Sequence, residues 1–207
     1  MKREEFSVAL GSANATGRER YGTMDEKNVM VVAAHPDDEV LGCGGTAALL
    51  VNKGWRLTNV IACEGESVRY KDGSVSQAEQ IRAASGVIGA HRTELLGFPD
   101  QKLDTMSLLE IIRPLEELVR LVRPKIVFCH YPGDINRDHR ILFEALSVAV
   151  RPVEPYIQAI YAFDTASSTE WGYPQNFVPD TIQNRPTTVY FCKACKMLRL
   201  TIFFKVI

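Results

Sequence analysis

VMVVAAHPDDEVLGCGGT, residues 29–46, begins with six apolar residues and turns polar at His35. An apolar run of that length, without alternation, predicts a strand buried on both faces. The polar group His35-Pro36-Asp37-Asp38-Glu39 then falls where the strand must stop. Residues 42–52 read as a helix closed by Gly54. Gly42, Gly44 and Gly45 would let backbones approach closely near its start. Strand, polar turn and helix make the opening unit of a layered α/β domain.

The rest of the chain repeats that unit. Residues 57–63 are a second apolar run, followed by a polar loop over 64–74 punctuated by Gly65 and Gly73. Residues 76–88 have a helical pattern that stops at Gly89, and 93–96 form a short strand. Residues 106–122 carry apolar side chains at helical spacing, with Ser107 as an early cap and Pro114 expected to kink or split the helix. A buried strand over 125–130, a turn at Pro132-Gly133-Asp134, a helix over 140–150 and a strand over 158–163 complete the series. This alternation predicts an α/β fold, a mostly parallel sheet with helices on both faces. The expected organisation is a polar lead-in over 1–27, the α/β domain over 28–165 and a C-terminal appendage over 166–207. From residue 181 onward the tail has five basic residues and no acidic ones. It reads as an edge strand or helix covering the sheet, or as a basic rim for an anionic substrate.

Composition narrows the function classes. A net charge of -1 offers no global field to attract nucleic acid or a membrane surface, so neither is expected as a partner. The start lacks the apolar core of a signal peptide, and no apolar run is long enough to span a bilayer. A cytoplasmic location is therefore the expectation. Cys43, Cys63 and Cys129 lie in apolar or Gly-rich contexts and read as reduced, buried thiols. Cys192 and Cys195 have C-x-x-C spacing, but a single pair without thioredoxin-like surroundings reads as two ordinary helix thiols.

Ligands of open α/β sheets bind outside the carboxyl ends of the strands. Two polar clusters stand just past strand ends here: residues 35–39, and Asp134-Ile135-Asn136-Arg137-Asp138-His139. Both hold imidazoles and carboxylates, the donors a zinc site uses. A catalytic zinc takes three protein ligands and keeps one position open, and His35, Asp38 and His139 can supply the three. Asp37, beside them and unassigned, is the natural general base for a water made acidic by the metal. Acidic residues after a strand also cap helices, so the convergence of the two clusters is what separates the readings. Iron(II) or cobalt can occupy the same kind of ligand set.

The run AAHPDDEVLGCGGT, residues 33–46, resembles the metal-binding motif of the PIG-L/LmbE-like zinc deacetylases, and GDINRDHR, residues 133–140, resembles their second motif. The resemblance spans roughly residues 29–180. It implies a Rossmann-like fold, zinc bound by His35, Asp38 and His139, and Asp37 as the base. It implies as substrate an N-acetylglucosamine-type amino sugar or sugar conjugate. Several members carry a histidine that helps stabilise the oxyanion at the position of Asn136, so this chain has an amide in place of an imidazole there. Asp138 is expected to orient a neighbouring group, as carboxylates behind metal ligands do. Arg69 falls in the loop where a family arginine contacts substrate. The residues after Asp180 match the family's closing strand and helix poorly.

Glu64, at a strand end, could hydrogen-bond sugar hydroxyls, and Trp171 and Tyr173 could stack on a sugar face or simply pack. His91 and His130 read as structural, with His130 near the rim. The leading expectation is a hydrolase of an N-acetyl amide. The alternatives are a hydrolase of another N-acyl compound, and a degenerate member that binds metal or ligand without turnover. A dinucleotide-binding domain is disfavoured, because Gly42-Cys43-Gly44-Gly45 lacks G-x-G-x-x-G spacing. Oligomeric state, a homo-oligomer included, is open.

Overall fold

The computed structural model describes residues 26–64, 77–151, 155–165, 168–169 and 204–205. In chain order these form β1 (Asn28–Ala33), α1 (Asp38–Asn52), β2 (Arg56–Cys63), α2 (Gln77–Ile88) and β3 (Arg92–Phe98). Then come a 3-10 turn (Leu103–Thr105), α3 (Leu108–Val122), β4 (Ile126–His130), α4 (Arg137–Ala149), β5 (Ala159–Phe163) and β6 (Phe204–Lys205). The sheet order is β3-β2-β1-β4-β5-β6. The first five strands run parallel, and β6 pairs antiparallel with β5. The parallel α/β expectation holds, and part of the tail does form an edge strand.

Burial explains the unbroken apolar runs. Val29 and Val31 on one face of β1 pack with Cys43 and Ala47 of α1 and with Phe163. Met30 and Val32 on the other face join Ile111, Leu115 and Val119 of α3 and Leu142 and Leu146 of α4. Both faces of the central strand are buried, so every position after Asn28 is apolar, and the Asn28 amide is satisfied by donating to Val122 O at 2.9 Å.

Four local expectations need correction. The helix expected from Gly42 begins at Asp38, and the one expected from Arg140 begins at Arg137. Asp38, Asp138 and His139 therefore lie in first helical turns instead of in loops. Asn136 starts α4 early: its Oδ1 accepts the Asp138 N–H at 2.9 Å, while Asp134 Oδ1 accepts the Asn136 N–H at 2.7 Å. Pro114 does not split α3, which is a single helix from Leu108 to Val122. A proline inside a helix costs about 3 kcal/mol, whereas each fully buried aliphatic side chain contributes about 1.5–3 kcal/mol. Ile111, Ile112, Leu115, Leu118, Val119 and Val122 are all buried, so packing wins. Ser107 begins this helix as expected, its N–H and hydroxyl donating to Glu110 Oε2 at 2.9 and 2.8 Å. Gly42 serves a ring rather than a backbone: a Cβ there would lie 2.2 Å from Cδ2 of Phe163.

Strand order places the chemistry. The chain moves from β1 outward through β2 and β3, then returns to β4 on the other side of β1. β1 and β4 are thus neighbours at the switch point, where the connections leave in opposite directions and open a crevice. Both polar clusters of the sequence follow these two strands.

Candidate metal centre

Three donor atoms meet in the crevice. His35 Nδ1 lies 3.2 Å from His139 Nε2 and 3.3 Å from Asp38 Oδ2, and His139 Nε2 lies 3.2 Å from Asp38 Oδ2. Metal bonds of about 2.0 Å at tetrahedral angles set neighbouring donors about 3.3 Å apart. The near-equilateral triangle therefore fits one small divalent ion held by three ligands. Asp38 and His139 are 4% and 2% exposed, so these polar groups have been taken out of water.

The atoms behind the triangle fit the same reading. His35 Nε2 faces Asp138 Oδ2 at 3.2 Å and Asp100 Oδ1 at 3.3 Å, and His139 Nδ1 faces Asp134 Oδ2 at 3.1 Å. A proton on each of these outer nitrogens leaves the inner nitrogen of each ring free to bind a cation. Asp134 is itself fixed by the hydroxyls of Ser168 and Thr169, which donate to its Oδ2 at 2.9 and 2.6 Å. Asp138 accepts the Leu103 N–H at 3.2 Å. The Gln101 amide nitrogen lies 3.1 Å from His35 Nε2.

Electrostatics show why the site suits a cation. Burial opposes charge on His35, yet its hydrogen bonds with Asp138 and Asp38 push its pKa up to about 12. His139 is raised too, because Asp134 and Asp38 outweigh its burial. Burial alone would raise the Asp38 carboxyl, but its hydrogen bonds with His139 and His35 hold it well below the usual carboxylate range. The carboxylates that favour a charged imidazole would equally favour a divalent ion at the inner nitrogens.

Asp37 stands at the entry to α1 with φ 98°, in the left-handed region that non-glycine residues seldom occupy. Such strain is found where the surroundings hold a residue in place, often at functional sites. Asp37 is exposed as a residue, and partial desolvation and the Asp38 charge push its carboxyl up, with His35 and His139 opposing. Glu39 Oε2 accepts the Asp37 N–H at 3.1 Å, and burial pushes the Glu39 carboxyl up to about 7.

His130 lies directly behind the triangle, its Nε2 3.4 Å from Asp38 Oδ2. Its Nε2 accepts the Ala34 N–H at 2.9 Å and its Nδ1 lies 3.2 Å from Thr165 Oγ1. Burial pushes its pKa down to about 3, so it is neutral. Glu64 is exposed at the end of β2. Arg69, Trp171, Tyr173, Cys192 and Cys195 lie outside the described residues.

His35, Asp38, Asp138 and His139 come together as the sequence suggested, while Asn136 is engaged as a helix cap. Asp100, Gln101, Asp134, Ser168 and Thr169 were not anticipated as parts of the site. Asp100 and Gln101 follow β3, a third parallel strand, so the rule that singled out the other two clusters also covers them. Asp134 lies within the second cluster itself.

Several known proteins resemble this chain in sequence or fold. The family described as PIG-L, GlcNAc-PI de-N-acetylase, matches residues 30–150. A protein named uncharacterized deacetylase YaiS, from Escherichia coli K12, is 31% identical over 83% of this chain and 86% of its own length. A diacetylchitobiose deacetylase of Thermococcus kodakarensis is 28% identical over 72% of this chain and 59% of its own length. Among solved structures, GalB, the 4-carboxy-2-hydroxymuconate hydratase of Pseudomonas putida, superposes with a TM-score of 0.59. At 23% identity, over 82% of this chain and 74% of GalB, that likeness speaks to the fold.

Proposed function

The chain belongs to the PIG-L family, and from that premise we propose that it is a zinc-dependent deacetylase that hydrolyses the N-acetyl amide of an amino sugar or sugar conjugate. The observation that carries this reading is the donor triangle of His35, Asp38 and His139, with edges of 3.2 to 3.3 Å and Asp37 beside it. The similarity to a diacetylchitobiose deacetylase supports the substrate class.

His35, Asp38 and His139 would hold the ion. When bound, it polarises the acyl carbonyl and brings water near neutral pKa, about 7. Asp37 takes the proton that water loses as its oxygen bonds to the acyl carbon. The same carboxyl then hands the proton to the amide nitrogen as the C–N bond breaks, leaving acetate and a free amine. An upward-shifted carboxyl is suited to that double role, because it binds a proton more readily than an ordinary aspartate. Asp138 and Asp134 hold the outer ring nitrogens of His35 and His139, which fixes both rings and their tautomers. Asn136 Oδ1 is committed to the α4 cap, so its amide N–H groups are what it can offer a substrate oxygen.

The test is acetate release from a panel of N-acetylated amino sugars and sugar conjugates, with and without a chelator. Release that stops with chelation and returns with zinc supports the proposal. Release that continues after the metal is stripped overturns it.

A further inference from the structure

A second donor set shares His35. On the side of the ring away from the triangle, Nε2 lies 3.2 Å from Asp138 Oδ2, and Asp138 Oδ2 lies 3.8 Å from Cys63 Sγ. The imidazole, carboxylate and thiol place one ligand atom each within 4.8 Å of one another. Cys63 and Asp138 are both 2% exposed. Orienting His35 needs only a carboxylate, which Asp138 and Asp100 both supply. A sulfur in the same place adds a soft donor, and soft donors select thiophilic ions over hard ones.

We propose that Cys63, Asp138 and His35 Nε2 form a second, inhibitory site for a thiophilic divalent ion such as cadmium, in competition with the catalytic ion for His35. The inference rests on the triangle being the catalytic metal site. The competition follows from the ring. A neutral imidazole has one nitrogen free to bind a metal and one that carries a proton. With an ion in the triangle, the proton is on Nε2. With an ion at Cys63, Nε2 is the bound nitrogen and the proton moves to Nδ1, the atom facing Asp38 and His139. The thiol loses its proton to solvent as the sulfur–metal bond forms. The triangle then keeps only two of its three donors, and its ion leaves.

The experiment uses full-length protein loaded with zinc and carrying Cys192→Ser and Cys195→Ser, so that the C-x-x-C pair contributes no sulfur. Cadmium chloride is titrated in. Thiolate-to-metal absorbance in the ultraviolet and zinc released to the dialysate are followed together. Absorbance that grows in step with zinc release is expected, and it should disappear when Cys63→Ser is added. Zinc release without the absorbance means simple exchange in the triangle and overturns the proposal, as does absorbance that survives Cys63→Ser. His139→Ala separates the two readings. It should abolish tight zinc binding yet keep the cadmium absorbance. Zinc retention in that variant would sink the triangle instead of the thiol site.

Discussion

The ring of His130 lies almost flat against that of His139, with centroids 3.8 Å apart and planes 16° from parallel. His130 is held on its other sides by the Ala34 N–H and Thr165, and it tilts against Phe163. It therefore helps set the position of the ring proposed to bind the metal. His130→Ala removes that wall and orphans the Ala34 N–H, which should cost about 1–3 kcal/mol of stability. Urea unfolding checks the cost, and a zinc titration of the folded variant should show weaker binding. Stability and zinc affinity equal to those of the parent would deny His130 this role.

Asp37→Asn removes the proposed proton acceptor but leaves the triangle in place. Turnover should fall by about 10²–10⁴, the usual contribution of general acid–base catalysis. Zinc content, read by elemental analysis, should stay at that of the parent. Turnover near the parent's would assign the base elsewhere.

Removing a ligand and removing its support should differ in degree. His139→Ala takes one corner from the triangle, and tight zinc binding should be lost. Asp134→Asn keeps the ligand but weakens the hold on its outer nitrogen, and zinc affinity should drop about 10–100-fold. Competition with a chromophoric chelator measures both. Equal losses in the two variants would contradict the separation of ligand from support.

Two glycines test the packing. A Cβ at Gly42 would overlap the ring of Phe163, which is fully buried. Gly42→Ala should therefore destabilise the fold by about 1–3 kcal/mol. Gly86, within α2, has nothing within 4 Å of a built Cβ. Gly86→Ala should stabilise by about 0.4–1 kcal/mol, because it reduces the freedom of the unfolded chain. Denaturant midpoints of the two variants should move in opposite directions.

The strands around the crevice could be read from residue order alone, since apolar runs mark them wherever both faces are buried. The ends of helices were harder to read. Asp38 and Asp138 are acidic and look like loop residues, yet they lie in first turns where a helix dipole favours negative charge. Pro114 pointed to a break that six buried neighbours overrule. Apart from Asp134 beside His139, the supports of the candidate metal site were harder still, because they join distant parts of the chain. His35 and Asp138 are 103 residues apart, and Thr169 reaches Asp134 across 35.

From the amino-acid order alone came the α/β class and the residue types able to grip a metal at two strand ends, because hydrophobic periodicity and side-chain chemistry are local properties. The folded chain decided that β1 and β4 are adjacent and that three donors close to within 3.3 Å. It also decided which nitrogen of each ring faces inward. Those features depend on strand order and on hydrogen bonds across the whole domain, which no short stretch of sequence contains.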